Sequence, residues 1–345
     1  MVCDVAIIGA GPVGLFSVFE LGLLGLNSVV IDTLDRPGGQ CTELYPEKPI
    51  YDIPAYPKIN GQELTDRLME QIEPFQPTFL LSRRVDKLEA RESDEGLSAF
   101  RLTTGEGDII DAAAVFIAAG AGSFTPRRPK LGNLEEFENQ SVFYAVKDRS
   151  YMRGKRVVIA GGGDSALDWT LALLDDNASV TLVHRSKRFR AHPASVDAML
   201  SACEDGRITF IEGELHSLHG SDGNLTEVHV KTSGGDNPIA IPTDILLPFF
   251  GLNIELGPIA NWGMDLQDGK LIKVDTECFQ SSIPGVFAVG DINTYPGKLK
   301  LILSGFHECA LAAQAAFRCA RPGERLRFQY TTSSTELKKK LKVLD

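Results

Sequence analysis

The stretch Val5-Ala6-Ile7-Ile8-Gly9-Ala10-Gly11-Pro12-Val13-Gly14 decides the fold. Val5 to Ile8 form an apolar run of strand length. It opens directly into the spacing G-x-G-x-x-G. Gly9 permits the tight turn. Gly11 leaves the backbone open to a pyrophosphate that any Cβ would strike. Gly14 lets the following helix pack close to the strand. The helix N-terminus then turns free N–H groups and a positive dipole end toward the phosphates. Eighteen residues past Gly14, after the apolar run Ser28–Ile31, stands Asp32. A carboxylate there can accept bonds from the adenosine ribose hydroxyls. Glycines alone are a weak sign, but strand, glycines, helix and acid in this order assign a dinucleotide site.

A second copy of this unit begins at Arg156-Val157-Val158-Ile159-Ala160 and opens into Gly161-Gly162-Gly163-Asp164-Ser165-Ala166, the G-x-G-x-x-A form. The strand that follows, Ser179–Val183, ends in His184-Arg185, with Lys187, Arg188 and Arg190 close behind, where the first copy has its acid. Cations at this position favour the 2′-phosphate of NADPH, which an acid would repel. The contacts expected for NADPH are therefore Gly161, Gly163, Asp164, Ser165, Ala166, His184, Arg185 and Arg190.

Two βαβ copies in 345 residues fit two domains, because single cores stop growing below that size. Pro126, Pro129 and Gly132 mark one crossing between them, and Pro248-Phe249-Phe250-Gly251 marks the return. The first domain is then built from both ends of the chain, 1–122 plus 249–345, and the second from 123–248. The net charge of −11 argues against general nucleic-acid binding. No run of about 18 apolar residues calls for a membrane helix, and no basic leader precedes the first strand, so a cytoplasmic location is expected. Six cysteines, at 3, 41, 203, 278, 309 and 319, contain no Cys-x-x-Cys and no zinc-ligand spacing, and no metal is expected.

A third signal is Val286-Phe287-Ala288-Val289-Gly290-Asp291, an acid directly after an apolar strand and a glycine. Together with the two glycine corners it resembles the two-dinucleotide-binding flavoprotein reductases, in which this Asp bonds the ribityl chain of FAD. Ala118-Ala119-Gly120 is similar to the A-T-G turn of that superfamily, with Ala119 in place of Thr. The thioredoxin reductases within it need two sulfurs within bonding reach, and the chain has no such pair. The matching stretches cover nearly the whole chain. They include Gly38-Gly39-Gln40-Cys41, Leu44-Tyr45-Pro46-Glu47-Lys48, Ile50-Tyr51-Asp52-Ile53-Pro54, Phe249-Phe250-Gly251-Leu252, Gly290-Asp291-Ile292-Asn293-Thr294-Tyr295-Pro296-Gly297-Lys298 and Lys300-Leu301-Ile302. They resemble the thioredoxin-reductase-like ferredoxin–NADP⁺ reductases.

The resemblance implies an α/β fold of two Rossmann-like domains in three layers, the first for FAD and the second for NADPH. It implies hydride transfer from NADPH to flavin N5, single-electron release to ferredoxin or flavodoxin, and a homodimer. No protein nucleophile or acid–base dyad is called for. It assigns FAD to Gly9, Gly11, Pro12, Gly14, Asp32, Gln40, Tyr45, Val85, Phe124, Asp291 and Thr332. Tyr51 should stack on one flavin face, and an extension beyond about residue 328 should bring Tyr330 to the other, with Thr331 or Thr332 near N5. Relatives commonly carry His-Arg-Arg after the second acid-free strand, whereas Ser186 follows Arg185 here. An acidic ferredoxin would dock on cations such as Arg83, Arg84, Arg127, Arg128, Lys130 and Lys338 to Lys340. Two other readings share the motifs: an NAD(P)H oxidase or diaphorase, and a flavin-binding redox sensor without turnover.

Overall fold

In the computed structural model the described residues are 1–91, 100–232, 234–235, 237–326 and 338–339. The chain divides into two compact units, Met1–Ser123 with Ile254–Asp345, and Phe124–Asn253.

The first unit is organised on the strand Val2–Ile8, which lies between two parallel neighbours, Ser28–Ile31 and Ile109–Ile117. Its side chains alternate between faces, as a pleated strand requires. Val5 and Ile7 join a core with Leu15, Val18 and Leu21 of the helix Pro12–Leu23 and Cys309, Ala312 and Ala316 of the helix Ile302–Ala320. Ala6 and Ile8 face a second core with Leu102, Val115, Ile117, Ile259, Met264 and Ile272. Both faces of the sheet are covered, so its central strands read as continuous apolar runs. The nine-residue strand Ile109–Ile117 pairs along its other edge with Phe100–Thr104 through its first half and with Val286–Ala288 through its second. Ile8, Ile31, Ile117 and Ala288 therefore end together at one edge.

The second unit repeats the plan. Arg156–Ala160 lies between the parallel strands Ser179–His184 and Ile245–Pro248; Ile208–Ser221 joins in parallel beyond Ser179–His184, and Asn224–Thr232 and Ile239–Pro242 follow it antiparallel. Phe249–Asn253, placed in the first domain by the prolines and glycine around them, fall in this unit instead. Phe249 N donates to Ala160 O at 2.8 Å, which carries the ladder one residue beyond Pro248. The last helix runs Ile302–Ala320. Leu301, its N-cap, offers no capping side chain, so nothing in the sequence announces that turn.

Each unit turns on a close approach between its first strand and the helix after it. Gly9 has φ +111°, and a Cβ there would lie 2.7 Å from the Ala118 carbonyl carbon. A Cβ at Gly14 would run into the Gly9 carbonyl. Ala usually improves a helix over Gly by about 1 kcal/mol. At position 14 overpacking wins, and Gly14→Ala should instead lower stability by about 1–3 kcal/mol, read as an earlier urea midpoint at unchanged slope.

Candidate functional site

The first corner is open where a phosphate would lie. A Cβ added at Gly11 would meet no protein atom within 4 Å, unlike those at Gly9 and Gly14. The helix that starts at Pro12 has no acid in its first turn and no side-chain cap, so its N-terminal N–H groups stay available to an anion.

Three segments close around this corner. The first is the end of strand Ser28–Ile31. Asp32 accepts from Ala10 N at 2.6 Å through one carboxylate oxygen and from Leu34 N at 2.8 Å through the other. Burial pushes its pKa up, and the backbone bonds from Leu34 and Ala10 pull against that rise. The second is the turn before the short helix Gln40–Glu43. Gly38 N donates to Ala10 O at 2.8 Å, and a Cβ on Gly39 would stand 3.0 Å from Gly11 Cα. The amide of Gln40 lies 3.7 Å from where a Cβ on Gly120 would be. Tyr45 follows on the same segment. Burial pushes its phenol up, and the carboxylates of Asp291 and Asp52 add to the effect.

The third is the turn Gly290–Ile292, which carries Asp291. Gly290 and Gly305 both pack on Val13 in the first turn of the first helix, since a Cβ on either would lie 3.2–3.3 Å from Val13 Cγ1. Burial raises the pKa of Asp291, and the ammonium groups of Lys298 and Lys300 oppose the rise. The turn is fastened from behind. Glu308, wholly buried on the last helix, accepts from Gly290 N at 2.6 Å, Asn293 Nδ2 at 2.8 Å and Tyr295 OH at 2.9 Å, and also from Lys298 Nζ. Sequence reasoning missed this lattice. Its signal was an acid in helical register with Gly305, Cys309 and Ala312, on a face otherwise made of small apolar residues.

Other expected FAD contacts fall outside this cluster or outside the described residues. Tyr51 is 67% exposed, a free aromatic face beside the strand Pro49–Ile50. The Val85 side chain is buried in the second core, so only its backbone can meet a ligand. Phe124 is described through its backbone alone, in the strand Ser123–Pro126. Tyr330, Thr331 and Thr332 lie outside the described residues.

The second corner has the same open centre. A Cβ at Gly163 would meet nothing within 4 Å, while one at Gly161 would stand 3.0 Å from Ala166 Cβ. Ala166 is buried and Ser165 is exposed. The loop after His184 folds back onto this corner. Arg190 N donates to Gly162 O at 2.7 Å, and His192 N to Asp164 Oδ1 at 2.8 Å. The imidazole of His184 covers Gly162, where a Cβ would come within 2.6 Å of its Cδ2. Its Nε2 lies 3.1 Å from Arg188 O, which makes that nitrogen the donor. The ring of Phe189 packs on His184 at 5.3 Å and on Phe210 at 5.5 Å. His184 and Asp164 thus hold the loop, and Arg185, Lys187, Arg188 and Arg190 stay exposed on it without an ion pair among the described residues.

Several cations expected to receive an acidic partner are already matched within their own unit. Arg83 pairs with Asp108 at 2.9 Å, Arg84 with Asp86 at 2.7 Å and Arg128 with Glu138 at 2.7 Å. Arg127 donates to Asn253 at 3.2 Å, and Lys130 is exposed. Lys340 lies outside the described residues.

The sequence profile of the family described as pyridine nucleotide-disulphide oxidoreductase matches residues 3–316. Proteins named ferredoxin–NADP reductase are similar along the full length. The one from Mesorhizobium japonicum is 57% identical, with 99% of this chain and 98% of that protein covered. The one from Parvibaculum lavamentivorans is 56% identical, with 99% and 97% covered. Among solved structures, Lactococcus lactis thioredoxin reductase superposes with a TM-score of 0.75 at 24% identity, over 92% of this chain and 99% of that one, a likeness of fold. The glycine corners, the carboxylates around the first and the cationic loop on the second sit in a chain that belongs to the pyridine nucleotide-disulphide oxidoreductase family, beside the proteins named ferredoxin–NADP reductase.

Proposed function

We propose that the chain is an FAD-dependent ferredoxin–NADP⁺ reductase that carries electrons between NADPH and ferredoxin, or a flavodoxin in its place. One observation carries this reading over disulfide reduction. The unit with the cationic loop holds a single cysteine, Cys203, so reducing equivalents entering there have no disulfide within that unit to reach. The full-length relatives named ferredoxin–NADP reductase support it.

The residues present fit both cofactors. At the first corner, Gly11 and the helix N-terminus receive the FAD pyrophosphate. Asp32 takes the ribose hydroxyls through the lone pairs that Ala10 and Leu34 leave unused. Asp291 takes the ribityl hydroxyls. Both carboxylates are desolvated, so hydroxyl donors lower the cost of holding their charge. Gln40 and Tyr45 line the same side, and the exposed ring of Tyr51 covers one flavin face. When bound, FAD would supply the chemistry that links two-electron donation by NADPH to one-electron delivery to the partner. At the second corner, Gly163 and the helix N-terminus at Asp164 hold the NADPH pyrophosphate, while Arg185 and Arg190 meet the 2′-phosphate. Lys187 and Arg188 stand where they can make up for Ser186. The protein's part is to bind and orient two dinucleotides, and no side chain has to move a proton. The resemblance that names these contacts also carries a homodimer in the cytoplasm. Among the described residues no helix is long and apolar enough to cross a membrane.

The direct test is anaerobic. NADPH should bleach the flavin band of the purified protein, and oxidised ferredoxin mixed in next should restore it. Restoration by oxygen at the same rate, with ferredoxin inert, would identify an oxidase, and no bleaching by NADPH would favour a sensor. Arg190→Ala should raise KM for NADPH about tenfold with kcat little changed and leave KM for NADH alone. A selective loss of kcat would remove Arg190 from the 2′-phosphate site. Tyr51→Ala should brighten flavin fluorescence, because a stacked phenol quenches it, and unchanged emission would take Tyr51 off the flavin face.

A further inference from the structure

Behind the Gly290–Ile292 turn is a buried ion pair that binding and hydride transfer do not use. The side chain of Lys298 is 7% exposed and that of Glu308 is 0% exposed. A buried pair of this kind is weak evidence for stability, since desolvation offsets much of the attraction. Its connections are specific. Lys298 Nζ donates both to Glu308 and, at 2.9 Å, to Gly290 O. Glu308 accepts Gly290 N at 2.6 Å. The two charges therefore hold the two polar backbone atoms of one residue, the one that precedes Asp291. Gly290 has φ +81°, a backbone state that an unheld chain is free to leave for many others. The lattice is closed by Asn293, whose Nδ2 donates to Ala288 O and to Glu308, both at 2.8 Å, and by Tyr295, whose ring lies 5.4 Å from Lys298 Nζ.

We infer that Lys298 and Glu308 are a positioning pair that fixes the Gly290 peptide, so that the Asp291 carboxylate is aimed at the FAD ribityl chain before the cofactor arrives. The inference rests on the reading that Asp291 holds FAD. Lys298 acts without touching the cofactor: it clamps the peptide and sets a cation near Asp291. Glu308 keeps that cation in place and ties the turn to the last helix, which packs on the first helix through Ser17 and Cys309. Preorganisation of this kind appears as cofactor affinity, because a loose turn would have to be ordered on binding.

The experiment is a double-mutant cycle in the FAD dissociation constant of the holoprotein, followed by release of flavin fluorescence on dilution. Lys298→Met keeps the stem and removes the ammonium. It leaves Glu308 with three donors, whereas removing Glu308 alone would strand a buried cation. Lys298→Met and Asp291→Asn should each weaken FAD binding by about tenfold or more, as loss of an outer-shell partner does elsewhere. The double variant should be clearly tighter than the product of the two effects, since each acts through the same carboxylate. Multiplicative effects, or parent affinity in Lys298→Met, would overturn the positioning role. Parent affinity in Asp291→Asn would instead overturn the reading of Asp291 and leave the ion pair without a purpose at this site. If Lys298→Met fails to fold, Lys298→Met with Glu308→Gln removes both charges at similar volume and takes its place in the cycle, with the same outcomes. The thermal midpoint of the holoprotein is read alongside. A purely structural pair would lower that midpoint and leave FAD affinity, measured well below it, unchanged.

Discussion

The distance between a strand end and the helix that follows it sets the terms for both units. At Gly14 that distance leaves no room for a methyl group beside the Gly9 carbonyl, and in the second unit Ala166 fills the same role against Gly161. This approach aims each helix N-terminus across the end of its sheet, where Ile8, Ile31, Ile117 and Ala288 finish together in the first unit. What gathers there follows from it. Asp32 arrives on the next strand, Asp291 on a turn packed against Val13, and the Gly38–Gly39 turn lies over Gly11. A wider corner would leave the same residues in the chain but not around one point.

The two corners share a backbone and differ in charge. The first meets its ligand with desolvated carboxylates, which favour hydroxyl donors. The second presents four exposed cations on a loop that is itself held by bonds using none of their side chains, Arg190 N to Gly162 O, His192 N to Asp164 Oδ1 and His184 to Arg188 O. The guanidinium groups are therefore not needed to keep the loop in shape and remain available for phosphate. The cations around Arg83 and Arg128 differ in this respect, because acids of the same unit already match them.

Much of this was legible in the chain because glycine spacing and apolar runs speak about local backbone. Strand, turn, helix and acid at Val5–Asp32 and the repeat at Arg156–Arg190, whose second strand ends in His184-Arg185 instead of an acid, each lie within a short window where one steric rule applies. The start of the last helix at Ile302 was not legible, since Leu301 carries no capping group. Nor was the lattice at Glu308. Its members, Gly290, Asn293, Tyr295 and Lys298, come from one stretch with no regular spacing, and only the fold shows that one carboxylate collects all four. The packing of His184 over Gly162 was hidden for a similar reason, since only the fold brings the glycine beneath the ring.

The thiols bear on how such a protein fares in air. Reduced flavins exposed to oxygen generate peroxide, and peroxide oxidises thiolates rather than thiols. Burial pushes Cys3 up to about 12 and Cys41 up to about 11, and moves Cys309 in the same direction. Burial thus holds these three sulfurs toward the thiol form. Cys41, two residues beyond the Gly39 that lies on Gly11, is by this burial a poor target for oxidation to sulfenic acid.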